Sequence, residues 1–337
     1  MRMLFTGIAM IAGMLSLPMP TAAAQDKAAQ FMRDMDADGD GRIAAEEWQR
    51  KPKRFKRLDT DGDGFLTMEE LRARFGGGNA APAVGAVDGR ISLEEIGAET
   101  LCAIGRSRRC DINLAVKRGL FETGLTPHFP DGLSCRGIDE GWAIDYGWKR
   151  DRQNFHGGID MPAPFGTPML AVADGVVVGV FKGEKSYRGI EINLRHAPED
   201  TGLSVWIWTQ YAHLDKLPDL KPGDRVTRGQ NLGPTGNSGI SPGKSGRGDG
   251  YRRPAIHFAA WYSNGPKFAV NRDKIIPLDG HWMDPLALWR GKSPFDSTSA
   301  KALPDADKTV PIAVITEDGA TVPAEARITW PYSCIRG

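Results

Sequence analysis

Two twelve-residue stretches repeat one another and leave the chain little freedom in how they fold. Asp36 to Glu47 reads D-A-D-G-D-G-R-I-A-A-E-E, and Asp59 to Glu70 reads D-T-D-G-D-G-F-L-T-M-E-E. The first offers oxygen ligands at Asp36, Asp38 and Asp40, a turn glycine at Gly41 and a closing carboxylate at Glu47. The second offers Asp59, Asp61, Asp63, Gly64 and Glu70 in the same order. Calcium takes this hard, multidentate oxygen shell, and the glycine permits the sharp bend. Ile43 and its equivalent Leu66 are placed to pair across a short two-stranded contact. Helices are expected over Asp26–Met35, Ala45–Leu58 and Thr67–Phe75. Two copies at a fixed interval argue against chance acidic turns.

This region, roughly residues 26–75, resembles the EF-hand family. Val84 to Glu95 reads as a worn third copy. Asp88, Gly89, Ile91 and Glu95 fit the later positions, but Val84 and Ala86 stand where oxygen ligands are needed. It is expected to mimic the fold without binding calcium tightly. Gly76–Gly77–Gly78–Asn79–Ala80 reads as a linker. Another helix is expected within 96–120.

The start of the chain reads as a secretory signal over 1–24. Arg2 supplies a basic start, an apolar run follows, Pro18 and Pro20 break it, and Ala22–Ala23–Ala24 offers small residues for cleavage. The expected compartment is the periplasm or the exterior, with no stable membrane insertion after cleavage. Export permits disulfides. Cys102, Cys110, Cys135 and Cys334 allow three pairings. A local Cys102–Cys110 bridge would leave Cys135 to hold the C-terminal tail through Cys334. The formal net charge of +1 gives no warrant for a nucleic-acid partner, and the basic run Lys51 to Arg57 reads as a solvated helix face.

From about residue 121 the chain reads as strands. Met169 to Val180 holds two apolar segments around a D-G turn; Ile190 to Leu194, Val205 to Tyr211 and Ala255 to Trp261 are further candidates. The 41 glycines and 23 prolines imply many turns, and no repeated long helices suggest a doubly wound sheet. The tail is a polar connector over 291–309, with short strands expected over Val310–Ile315 and Arg327–Trp330.

Only six histidines occur, and three fall in motif-like settings: His156 with Asp160 in N-F-H-G-G-I-D, His213 in Q-Y-A-H-L and His257 in A-I-H-F. Three of these four residues suit a zinc ion with one open position, and the fourth can stand beside it as a base. Such an ion lowers the pKa of bound water and polarises a carbonyl.

The segment 140–290 resembles the M23 zinc metallopeptidases, the family of lysostaphin and LytM. The resemblance rests on Asp145–Tyr146–Gly147–Trp148, His156–Gly157–Gly158–Ile159–Asp160, Ala163–Pro164–Phe165–Gly166–Thr167–Pro168, Tyr211–Ala212–His213–Leu214 and Gly233–Pro234–Thr235–Gly236–Asn237–Ser238–Gly239. It implies that His156, Asp160 and His257 hold zinc and that His213 is catalytic. It also implies cleavage of peptide bonds in bacterial peptidoglycan. The departure lies at the family's H-x-H element: Ala255 stands where its first, catalytic histidine is expected. Arg247, Asp249, Tyr251, Arg252 and Arg253, in the glycine-rich stretch just before, are candidates to reach that place. The alternative reading is a noncatalytic peptidoglycan-binding protein or a regulator of a cell-wall amidase.

The expected fold class is therefore multidomain α+β: a small helical EF-hand pair, then a mainly antiparallel β-sheet metallopeptidase domain. The expected divisions are a signal peptide (1–24), the EF-hand pair (25–75), a linker with the third loop (76–120), the peptidase domain (121–290) and a C-terminal extension (291–337).

Overall fold

The computed structural model describes residues 30–38, 42–59, 64–67, 70–71, 87–106, 110–138, 149–150, 154–183, 186–241, 244–247 and 253–337. The signal-like start, Asp40, Gly41, Asp61, Asp63, the 76–80 linker, Val84, Ala86, Asp145–Trp148, Asp249, Tyr251 and Arg252 lie outside the described residues, as does the side chain of Arg247. Two compact units divide between Ala83 and Val84.

In the first unit, Ile43 pairs with Leu66 in the expected antiparallel contact, Arg42–Ala44 against Phe65–Thr67. Both side chains are fully buried, with Phe55, Leu58 and Leu71 in the same small core. The helix expected over Ala45–Leu58 is shorter and begins at Pro52. The proline sets this limit: it disfavours helical backbone at the residue before it, and Lys51 is extended at ψ 127°.

The second unit is built on an antiparallel sheet. Its strands are β1 (Ile159–Pro162), β2 (Gly175–Phe181), β3 (Ile190–His196), β4 (Trp206–Leu214), β5 (Arg225–Val226), β6 (Ala255–Ser263) and β7 (His281–Met283). The order is β5-β2-β3-β4-β6-β7, and β1 pairs with the first half of β6. β4 reads W-I-W-T-Q-Y-A-H-L and is buried along nearly its whole length, so the sheet is covered on both faces. On one face Trp208, Trp261 and Trp282 stand in register across β4, β6 and β7. On the other, Tyr211, Phe258, Trp289 and Trp330 make a chain of ring contacts at 5.2, 5.0 and 4.4 Å. Burying side chains of this size contributes about 1.5–3 kcal/mol each. The Tyr211 hydroxyl accepts from Val172 N at 2.9 Å inside the core, so this tyrosine is structural. His196 is also structural: its ring bonds to the Asp174 carbonyl and the Thr209 hydroxyl.

The third acidic loop belongs to this second unit. In all three copies the twelfth-position glutamate turns back to the backbone N–H three residues before it: Glu47 to Ala44 (2.7 Å), Glu70 to Thr67 (2.9 Å) and Glu95 to Ser92 (3.0 Å). The worn copy has no sister loop to pair with. Instead Ile91 N donates to Phe268 O at 2.8 Å, and Phe268 N to Gly89 O at 3.0 Å. The described part of this loop thus bonds to the β domain at Phe268.

Helix α1 (Ala98–Gly105) follows, with a short helix at Asn113–Lys117. The tail departs from expectation in two places. The connector carries a helix at Ser297–Lys301, because the Asp296 side chain caps Ser299 N. Arg327–Trp330 forms no strand. Thr329 N and Trp330 N bond to different partners, Val172 and Ala313, and Pro331 has no N–H to extend a ladder. The strand lies later, at Ser333–Arg336, beside Val314–Thr316. Both disulfides are present, Cys102–Cys110 and Cys135–Cys334. Among the described residues, no helix is long and apolar enough to cross a membrane.

Candidate metal centre

The ladder between β1 and β6 puts Asp160 opposite His257, so the two side chains leave the same face of the sheet. His156 lies just before β1 and folds back over them. His257 Nδ1 stands 2.9 Å from Asp160 Oδ1 and 3.1 Å from His156 Nε2, and His156 Nε2 stands 3.2 Å from Asp160 Oδ1. Burial pushes the Asp160 carboxyl up, but the two imidazoles outweigh it and hold the group well below the usual range. Burial drives His257 down to about 3. Two imidazole nitrogens and a carboxylate oxygen therefore converge. Such a trio repels itself unless a proton or cation lies between its members, and the donor set fits a zinc-type ion.

The two glycines of the His-Gly-Gly turn are fixed by contacts. Gly157 has φ +72°, and a Cβ there would meet the Arg106 guanidinium at 2.7 Å. A Cβ on Gly158 would lie 2.6 Å from the His257 ring. Close approach and left-handed backbone both require glycine here.

His213 ends β4 with φ +69°, a left-handed conformation held by three contacts. Its N–H donates to Arg188 O, its carbonyl accepts from Gly236 N, and its Nδ1 lies 2.9 Å from Ser238 O. A carbonyl can only accept, so Nδ1 carries the proton and Nε2 the lone pair. The His213 and His257 rings are 5.9 Å apart. Strained backbone of this kind persists where its surroundings determine it, and such places cluster at functional sites.

Ala255 is buried on the His257 face, beside Pro162 of β1. His281 stacks on Tyr262 at 5.3 Å, away from the triad.

Sequence reasoning missed Arg106. It caps α1 with φ +46°, and its guanidinium lies over the Trp282 ring at 5.1 Å. It reaches the His156 carbonyl with both terminal nitrogens, at 3.4 and 3.5 Å. Fifty residues separate the partners, and the sole sequence hint is the position of Arg106 within the Cys102–Cys110 loop. His156 Nδ1 and His257 Nε2 have no partner among the described residues, and Arg106 holds the His156 backbone from outside the triad. Arg106→Ala is expected to weaken metal binding about tenfold, the lower end for outer partners of a metal site. Competition with a chromophoric chelator measures it; unchanged affinity in a folded variant would remove that role.

Residues 154–269 match the family model described as Peptidase family M23. The chain carries an M23 peptidase domain. The EF hand model matches residues 28–50 and 53–75. The chain is 35% identical over 111 residues to the DD-carboxypeptidase/endopeptidase Mpg of Neisseria meningitidis, covering 33% of this chain and 21% of that protein. It is 36% identical over 84 residues to the peptidoglycan DD-endopeptidase ShyA of Vibrio cholerae, covering 25% and 17%. The chain thus spans about a fifth of these relatives. Among solved structures, a mutant catalytic domain of the prophage-encoded M23 protein EnpA from Enterococcus faecalis is 29% identical, with 46% of this chain and 95% of that one covered and a TM-score of 0.29.

Proposed function

We propose that the protein is a zinc-dependent endopeptidase that cleaves peptide bonds in bacterial peptidoglycan outside the cytoplasm. The observation that carries this reading is the closure of His156, Asp160 and His257 to within 3.2 Å of one another, inside the M23 domain and next to a third ordered histidine, His213. Zinc held there would supply Lewis-acid polarisation of the scissile carbonyl and a more acidic bound water. The chain's own groups do the rest. Ser238 fixes the His213 ring and tautomer, so that Nε2 can accept a proton and, once protonated, pass it to the leaving amine. Purified protein should solubilise peptidoglycan, lose that activity to a chelator and regain it with zinc. No release of peptide fragments at any zinc level would overturn the assignment.

Ala255 favours a second reading, in which the domain grips peptidoglycan, or regulates a cell-wall amidase, without cutting. Retained pelleting with peptidoglycan and no cleavage would establish it over the first.

For the first unit, calcium binding is part of the proposal. Asp36, Asp38 and Glu47 bring carboxylate oxygens within 4.8 Å of one another, and Asp59 Oδ2 accepts from Gly64 N in the second loop. Glu47→Gln should weaken its own loop about tenfold, because calcium affinity follows ligand charge count. Calorimetry on the full chain should show two sites reduced to one strong site. Two unaltered sites in the variant would sink this ligand assignment.

A further inference from the structure

A groove of about 720 Å³ is lined in part by β1, the strand that carries Asp160, and most of its lining lies outside the M23 domain. Two adjoining stretches of wall are residues 134–138 and Glu317 with the strand at Ser333–Arg336, paired through Ser134 and Ile335. The floor includes Pro162 of β1. Pro162 lies two residues beyond Asp160, so both point to the same face of β1, roughly 7 Å apart along the strand. One end of the groove is therefore one strand repeat from a metal ligand.

The walls are fixed before any ligand arrives. Cys135–Cys334 ties one to the other. Ser134 pairs with Ile335 across a ladder. Leu170 N donates to Pro331 O, and the Tyr332 hydroxyl lies 2.7 Å from that of Thr235. Such prior ordering lowers the entropic cost of binding. The lining carries one cation, Arg136, and one anion, Glu317; among the described residues neither side chain has a hydrogen bond or ion pair. Ile335 is 48% exposed at the rim. Opposite unpaired charges on a fixed, partly apolar groove suit a ligand that carries both signs along an extended chain.

We infer that this groove is a peptide subsite: it holds the arm of a peptide substrate next to the scissile bond, with a carboxylate at Arg136 and an ammonium at Glu317. The inference rests on the endopeptidase reading for its link to cleavage, and on the groove alone for binding.

The test uses the full chain and two probes: a tetrapeptide with a free C-terminal carboxylate and a lysine amine, and the same peptide amidated and acetylated. Methyl NMR should show the charged peptide shifting the Ile335 signals, with the blocked peptide, which lacks both charges, binding about a hundredfold more weakly, about tenfold for each charge-assisted hydrogen bond lost. Arg136→Gln and Glu317→Gln should each erase the preference for one of the two charges. With cleavable peptidoglycan fragments, both variants should raise KM about tenfold and leave kcat and zinc content unchanged. Binding at Ile335 without cleavage would uphold the groove and defeat the endopeptidase reading. Cleavage with KM unmoved by either substitution would overturn the subsite and leave that reading intact. No binding and no cleavage would overturn both.

Discussion

Alanine at His156, Asp160 or His257 should empty the metal centre, whereas His213→Ala should leave it filled and inactive. Each of the first three removes one of the converging donor atoms, which lie 2.9–3.2 Å from one another. Two remaining donors cannot complete a zinc site. The loss in metal affinity should exceed the ~100-fold seen for outer partners of such sites. His213 is held separately by Ser238, with its ring centre 5.9 Å from that of His257. Its removal should cost about 10²–10⁴ in kcat, the range for a positioned acid or base. Elemental analysis after dialysis and release of soluble muropeptides separate the two effects. Metal loss in His213→Ala would make that residue a ligand and break the map. Ala255→His tests directly the expectation that a catalytic histidine is replaced at this position. A sharp gain in cleavage would mean that the natural site lacks a proton-handling group. No gain over an already efficient enzyme would mean that another residue supplies it.

The convergence of His156, Asp160 and His257 was legible because they sit in short motifs whose local geometry the sequence carries. His156 and Asp160 are four residues apart, and the glycines between them are demanded by the contacts that the structure shows at Gly157 and Gly158. The paired acidic loops were legible for the same reason, since position eight of each meets the other as Ile43 and Leu66. What was not legible depends on contacts between distant segments. Arg106 reaches His156 across fifty residues, and its place within the Cys102–Cys110 loop is the one hint of that task. The worn third loop did not give its partner, because Phe268, which bonds to Gly89 and Ile91, belongs to a distant segment of the chain. The tail showed apolar runs, yet its strand formed after Pro331, where N–H groups are again available for pairing. The groove was invisible for a related reason. Its two walls meet through residues that are 199 positions apart.

That distance sets the second large effect. Cys135→Ala with Cys334→Ala should destabilise the second unit by up to ~5 kcal/mol, whereas Cys102→Ala with Cys110→Ala should cost at most ~2.6 kcal/mol, by the loop-closure dependence of a crosslink. The long bridge spans 199 residues and the short one eight, so opening the first frees far more of the unfolded chain. Alanine suits this test because Cys334 is fully buried and a serine there would bury a hydroxyl. Urea unfolding of the two double variants gives the comparison. The loss should also be uneven within the folded protein. The β1–β6 ladder holds His257 and Asp160 without help from the tail, so zinc content should persist in the long-bridge variant. Amide exchange should rise at Ser333–Arg336 and 134–138, the two walls that the bridge joins. A stability loss no greater than that of the local bridge would show that the ladder between Ser134 and Ile335 and the packing of Trp330 already hold the tail. Loss of zinc together with the tail would show that the extension supports the metal centre itself, and the wall-forming and ligand-holding parts of the fold would have to be treated as one cooperative unit.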